Sequence, residues 1–192
     1  MDRKKPTFLV DMDSITVNMT PTWLKKYYEE TGDTLTLTKQ TSWGFSELVR
    51  FPEELDKILT KNHFFYNLPP MPGATKYIPK LIEHGVNVIF LTQLPRKSDY
   101  AAKDKRRWIE KYIKGFDMRN IIFAHQKYLV NGDLFFDDNP VHLQTWAAYN
   151  PKGITSTIDY NYNRDAKADW RFDKKTAWKD FYEKACEFYN LK

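Results

Sequence analysis

The sequence predicts the α/β class: a parallel sheet with helices on both faces and a small helical cap inserted after the first strand. Three observations lead there. Short apolar runs recur along the chain and are apolar at nearly every position, as strands buried on both faces of a parallel sheet are. Helix-length amphipathic stretches separate them. One interval, from about Val17 to Pro72, carries helical patterns but no buried strand.

Thr7-Phe8-Leu9-Val10 is the first expected strand. Residues 21–30 and 52–61 follow as helices, the second opening on Pro52, where a missing N–H costs nothing. Pro69-Pro70-Met71-Pro72-Gly73 is a stiff turn back into the core. Residues 74–84 form a helix stopped by Gly85, and residues 86–91 the second strand. Residues 99–114 form a helix stopped by Gly115, and residues 120–124 the third strand. Leu134-Phe135-Phe136 is the fourth strand, residues 140–149 a helix, residues 154–158 a weaker fifth strand, and residues 175–189 the last helix. This order is Rossmann-like. It divides the chain into a core of residues 1–16 and 73–192 and a cap of residues 17–72, a lid suited to choosing a substrate and excluding water.

A chain of 192 residues is one large domain, or a core plus a modest insertion, with room for a sizeable apolar interior. Its 42% hydrophobic and 16% aromatic content is that of a packed globule and excludes a disordered segment. A single cysteine, Cys186, rules out an intramolecular disulfide and a multi-cysteine zinc site. The early apolar stretch, Phe8 to Val10, is too short for a signal-peptide core, and nothing approaches a membrane span, so a cytoplasmic protein without membrane partners is expected. The net charge of +5 helps to draw in an anion. The basic run Lys103, Lys105, Arg106 and Arg107, interleaved with Asp104 and followed by Glu110, reads as a solvated helix face. His63, His84, His125 and His142 form no metal-ligand pair and read as surface or core residues.

The chemistry lies in how the strands end. The first runs into Asp11-Met12-Asp13, the second into Thr92, the fourth into Asp137-Asp138. Ligands of open parallel sheets bind beyond the carboxyl ends of the strands, so four carboxylates and one hydroxyl converge on one edge. Such a cluster repels itself and is costly to desolvate unless a positive charge sits within it. A hard divalent cation, Mg²⁺, fits: it takes a few carboxylate oxygens, keeps waters, and completes its shell with substrate phosphate. Asp11 and Asp13, two apart on an extended segment, face one side at roughly 7 Å. One can attack phosphorus while the other gives a proton to the departing oxygen. Taken singly, each aspartate could instead be a turn or helix cap, and Lys127 a solvated loop lysine.

Asp11-Met12-Asp13, Thr92, Lys127 and Asp137-Asp138 resemble, in order and setting, the four motifs of haloacid dehalogenase-type phosphatases. Within that superfamily the chain is similar to the 5'(3')-deoxyribonucleotidases. The Asp-Met-Asp opening, the stretch from His63 through Phe64, Phe65 and Pro69 to Ala74, and the spacing from Lys127 to Gly132-Asp133-Leu134-Phe135-Phe136-Asp137-Asp138-Asn139-Pro140 carry this likeness. The resemblance implies Asp11 as nucleophile, forming an aspartyl-phosphate, and Asp13 as general acid, then base, with its backbone carbonyl on the metal. It implies Asp137 as a further Mg²⁺ ligand, Asp138 as a group orienting Lys127 or a metal-bound water, and Thr92 and Lys127 as holders of the phosphoryl oxygens. Two positions depart from the family pattern: Ser14 stands where glycine is common, and Gln93 where serine often follows the threonine, offering an amide contact to phosphate. Trp43, Phe45, Phe64 and Phe65 are either cap core or a stacking surface for a nucleobase.

The expected activity is removal of phosphate from deoxyribonucleoside monophosphates, a 5'-nucleotidase reaction. The alternatives are another small phosphate monoester, a polynucleotide 3'-phosphate, or nucleotide binding without turnover. The cap offers few basic residues for the open channel that a nucleic-acid polymer would need, so the expected partner is a small nucleoside monophosphate. The oligomeric state is left open, a homodimer included.

Overall fold

The structure, a computed structural model, describes residues 5–34 and 40–192; residues 1–4, and residues 35–39 within the expected cap, lie outside the described residues. Six parallel strands form one sheet: β1 (Thr7–Val10), β2 (Asn87–Thr92), β3 (Ile121–Phe123), β4 (Leu134–Phe136), β5 (Ile154–Ile158) and β6 (Trp170–Phe172). Their spatial order is β3-β2-β1-β4-β5-β6. The chain therefore builds outward from β1 on one side, then returns to its other side at β4. This reversal opens a crevice beyond the strand ends. Val10 is level with both Phe90 and Phe136, so Asp11 leaves the sheet beside Leu91 and Asp137.

Strand alternation divides the apolar residues between two faces. Phe8, Val10, Phe90 and Phe136 pack with Trp108, Trp178 and Phe181 on one face, and Leu9, Leu91 and Phe135 pack with Leu143 and Trp146 on the other. The helices α3 (Ala74–Glu83), α4 (Ala101–Tyr112) and α6 (Ala177–Tyr189) contribute to the first cluster, and α5 (Pro140–Tyr149) to the second. All five expected strands are present, β1, β4 and β5 with the expected bounds and β2 and β3 with ends shifted by one residue. The sixth, β6, was not expected: three residues with Arg171 in the middle give too short and too polar a signal, and only its seat beside β5 makes it a strand. Among the described residues no helix is long and apolar enough to cross a membrane.

Between β1 and α3 lie α1 (Met19–Thr31) and α2 (Pro52–Leu59), packed on one another. Trp23 Nε1 donates to the Leu55 carbonyl at 2.9 Å, and the buried Tyr27, Leu55 and Ile58 join the larger apolar cluster. The outgoing and returning segments run side by side: Asn18 N donates to Pro69 O, and Met71 N to Thr16 O, both at 2.8 Å. Trp108 Nε1 ties the return to α4 through Leu68 O at 2.8 Å.

Candidate active site

At the end of β1 the chain curls tightly. Thr16 N and Val17 N both donate to Met12 O, and Thr16 Oγ1 donates to Asp11 O. Ser14 takes a left-handed backbone (φ 61°), which costs a non-glycine residue about 1 kcal/mol. At the end of β4, Asn139 caps α5 by accepting from Val141 N and His142 N, with Pro140 in its first turn. Asn139 thus takes the capping role, which frees Asp137 and Asp138 for other work.

Asp11, Asp137 and Asp138 are buried, and each offers a carboxylate oxygen within 4.8 Å of the others. The ammonium of Lys127, held in a 3₁₀ turn before β4, hydrogen-bonds to Asp137 Oδ2 at 2.6 Å. It also lies 2.7 Å from Asp11 Oδ1, an ion pair by distance whose angle leaves that oxygen without a hydrogen bond. Burial, then the charges of Asp137 and Asp13, push the Asp11 carboxyl up to about 6 against the pull of Lys127. Burial also acts on Asp137, but Lys127 and His142 outweigh it and hold that carboxyl below the usual range. Asp138 is raised well above it by burial and by its two charged neighbours. Burial would lower Lys127, yet Asp11 and Asp137 outweigh it and raise the group.

Asp13 lies apart from this trio, its Oδ2 bonded to Lys105 Nζ at 2.6 Å. Lys105 is 0% exposed and also donates to Thr92 Oγ1 at 2.8 Å and to Gln93 O at 2.9 Å, with the Phe65 ring 4.8 Å away. The expectation of a solvated basic face is therefore wrong at Lys105. The signal was present in the spacing: Ala101, Lys105, Trp108 and Ile109 share the buried stripe of α4, and the other basic residues of the run lie off it. His142, read as an ordinary surface or core residue, also belongs to the site: its Nδ1 sits 3.4 Å from Asp137 Oδ1 with no hydrogen-bond partner. Gln93 Nε2 lies 2.8 Å from His125 Nδ1 and 3.3 Å from His142 Nε2.

When all four are ionised, the carboxylates against the two ammonium groups of Lys105 and Lys127 leave two negative charges, and the raised Asp11 and Asp138 mark the cost of that state without a cation. Asp11 Oδ1 and Asp13 Oδ1 are buried without hydrogen-bond donors. Hard oxygen donors, a deficit of two charges and unpaired buried oxygens suit a divalent cation held by Asp11, Asp137 and Asp138. The side chain of Asp13 is turned to Lys105, so its expected place in the metal set is through the backbone carbonyl alone. Of the two tasks expected of Asp138, orienting Lys127 or a metal-bound water, the first is not its own, since Lys127 rests on Asp11 and Asp137; Asp138 Oδ2 accepts from Tyr162 at 2.5 Å.

A cleft of about 840 Å³ opens from these residues towards α1 and α2. Trp43, Phe45, Phe65 and Gln93 line it, as do Arg96 and Lys97. Phe64 does not: it is buried in the apolar cluster with its edge on Phe65. Of the four expected aromatics, Trp43 is the most open, 55% exposed.

Residues 5–186 match the model of the 5' nucleotidase, deoxy (pyrimidine), cytosolic type C protein family. The chain is 31% identical over 178 residues to the 5'(3')-deoxyribonucleotidase of Clostridium acetobutylicum, a match covering 91% of each chain. Among solved structures it is similar to a HAD family hydrolase from Deinococcus radiodurans with bound phosphate and sodium (TM-score 0.64, 14% identity, 99% of both chains). It is also similar to a beta-phosphoglucomutase from Clostridium difficile (TM-score 0.53, 12% identity, 98% of this chain and 100% of the other). At these identities the two structures speak for the fold alone.

Proposed function

The chain belongs to the family of 5' nucleotidase, deoxy (pyrimidine), cytosolic type C proteins and is a phosphoric monoester hydrolase; from that premise we propose that it hydrolyses deoxyribonucleoside monophosphates, with Mg²⁺ as cofactor. The observation that carries the mechanism is the separate pairing of two carboxylates in one cleft, Asp11 with Lys127 and Asp13 with Lys105. Asp11 attacks phosphorus, its oxygen forms the new P–O bond as the ester P–O bond breaks, and an aspartyl-phosphate results. Asp13 gives a proton to the leaving sugar oxygen, then takes one from the water that releases phosphate from Asp11.

Lys127 and the Thr92 hydroxyl face the phosphoryl oxygens as charge builds on them. Lys105 fixes Asp13 and Thr92 in one place. Mg²⁺, held by Asp11, Asp137 and Asp138, would neutralise the cluster and polarise the phosphoryl group. Residues 17–72 act as the cap over a core of residues 1–16 and 73–192, and Trp43, Phe45 and Phe65 receive the base. The cleft is of the size that small ligands occupy. The family description supports a cytosolic setting.

The test is phosphate release from deoxy- and ribonucleoside monophosphates, with Mg²⁺ and with chelator, for wild type and Asp11→Asn. Magnesium-dependent release that the variant lacks, with deoxynucleotides preferred, is expected. A folded wild type that releases phosphate from no nucleotide would sink the nucleotidase reading.

A further inference from the structure

The segment after β5 brings two tyrosines to the edge of the site. Tyr160 and Tyr162 stack with ring centroids 5.1 Å apart and planes 7° from parallel, on either side of the start of the 3₁₀ turn Asn161–Asn163. Tyr162 donates to Asp138 Oδ2 at 2.5 Å, and Tyr160 donates to the Ser14 carbonyl at 2.6 Å. The turn is itself anchored. Asn163 Nδ2 lies within reach of Asp138 O, Thr157 Oγ1 and Ile158 O, and the Arg171 guanidinium donates to Asn163 O and Ala166 O.

We propose that Tyr162 is a positioning residue for the cation site: it holds Asp138 by one oxygen so that the other stays turned to a cation shared with Asp11 and Asp137. This role rests on the reading of those carboxylates as the Mg²⁺ site. Asp138 is buried beside two like charges, and a carboxylate so placed turns away unless a donor holds it. A phenol suits the task better than a lysine would. Its O–H fixes the carboxylate without adding a positive charge that competes with the cation. The stacked ring of Tyr160 restrains the Tyr162 ring, and the Tyr160 hydroxyl is spent on the Ser14 carbonyl, away from Asp138.

The experiment is calorimetric titration with Mg²⁺ in the absence of substrate, paired with Mg²⁺ activation of phosphate release, for wild type, Tyr162→Phe and Tyr160→Phe. Each variant removes one oxygen and keeps the stacked ring. Tyr162→Phe is expected to weaken Mg²⁺ binding about tenfold or more and to raise the activation constant by the same factor. Its kcat at saturating Mg²⁺ should stay within about threefold of wild type. Tyr160→Phe should bind Mg²⁺ within about threefold of wild type, because its hydroxyl does not touch Asp138. Equal losses in both variants, or a Tyr162→Phe that melts lower yet binds Mg²⁺ as wild type does, would overturn the role. A wild type that takes up no Mg²⁺ would bring down the cation site and this role together. A wild type that binds it, with Tyr162→Phe unaffected, would bring down the role alone.

Discussion

Lys105→Met removes an ammonium that is wholly buried and bonded to Asp13, Thr92 and the Gln93 carbonyl. Removing one partner of a buried ion pair costs about 3–5 kcal/mol, because the other charge is left alone. Two features of this site reduce that figure. The Asp13 side chain is 25% exposed and regains water, and methionine fills the lysine stem against Phe65. A loss of about 2–3 kcal/mol remains, which lowers Tm by about 5–10 °C in a chain of this size. Phosphate release should fall about a hundredfold or more, since Asp13 loses the group that fixes it for proton transfer. Thermal unfolding and steady-state phosphate release read the two effects. In an Asp13→Asn background the same substitution should cost less than half as much stability, the mark of a coupled pair. A Tm within about 2 °C of wild type together with kcat within twofold would refute the reasoning.

Mg²⁺ binding should release protons near pH 6. Burial and neighbouring carboxylates push Asp11 up to about 6, the cation takes only the ionised group, and affinity therefore falls as pH falls through that value. Calorimetry in buffers of different ionisation enthalpy measures this, and absence of release at pH 6 would contradict the electrostatics described. Trp43→Ala should raise KM about five- to fiftyfold with little loss of stability, because the ring is exposed in the cleft. Phe64→Ala should instead cost about 3–4 kcal/mol of stability and leave KM nearly unchanged, since it packs in the core. Gly153→Ala should destabilise by about 1–3 kcal/mol in denaturant unfolding: a Cβ there would sit 2.2 Å from the Trp146 ring.

The sheet was legible because its strands are buried on both faces, so β1, β2 and β4 stand out as apolar runs that end at the candidate site residues. The edge strand β6 carries no such run, and its identity comes from its neighbour. Asp11 and Asp137 do meet at Lys127, and Asp13 and Thr92 meet beside them at Lys105, since strand ends are set by register and register by the apolar pattern. What escaped was whatever arrives from a helix face or a later loop. Lys105 enters from α4, His142 from the first turn of α5, and Tyr162 from the turn after β5. Phe64 and Phe65 are adjacent in sequence and alike in chemistry. Only packing decides that Phe65 lines the cleft and Phe64 does not.

The placement of Lys127 has a consequence for how the chain acquires its fold. Asp11 and Asp137 come together from distant parts of the sequence, and their repulsion opposes closure of the β1–β4 edge. The ammonium that joins them belongs to the same chain, on the short turn leading into β4, so the polypeptide carries its own counter-charge into the last stage of assembly. Folding need not wait for an ion. Chelation should therefore silence the protein while leaving it folded, and returning the ion should restore full activity with no refolding step.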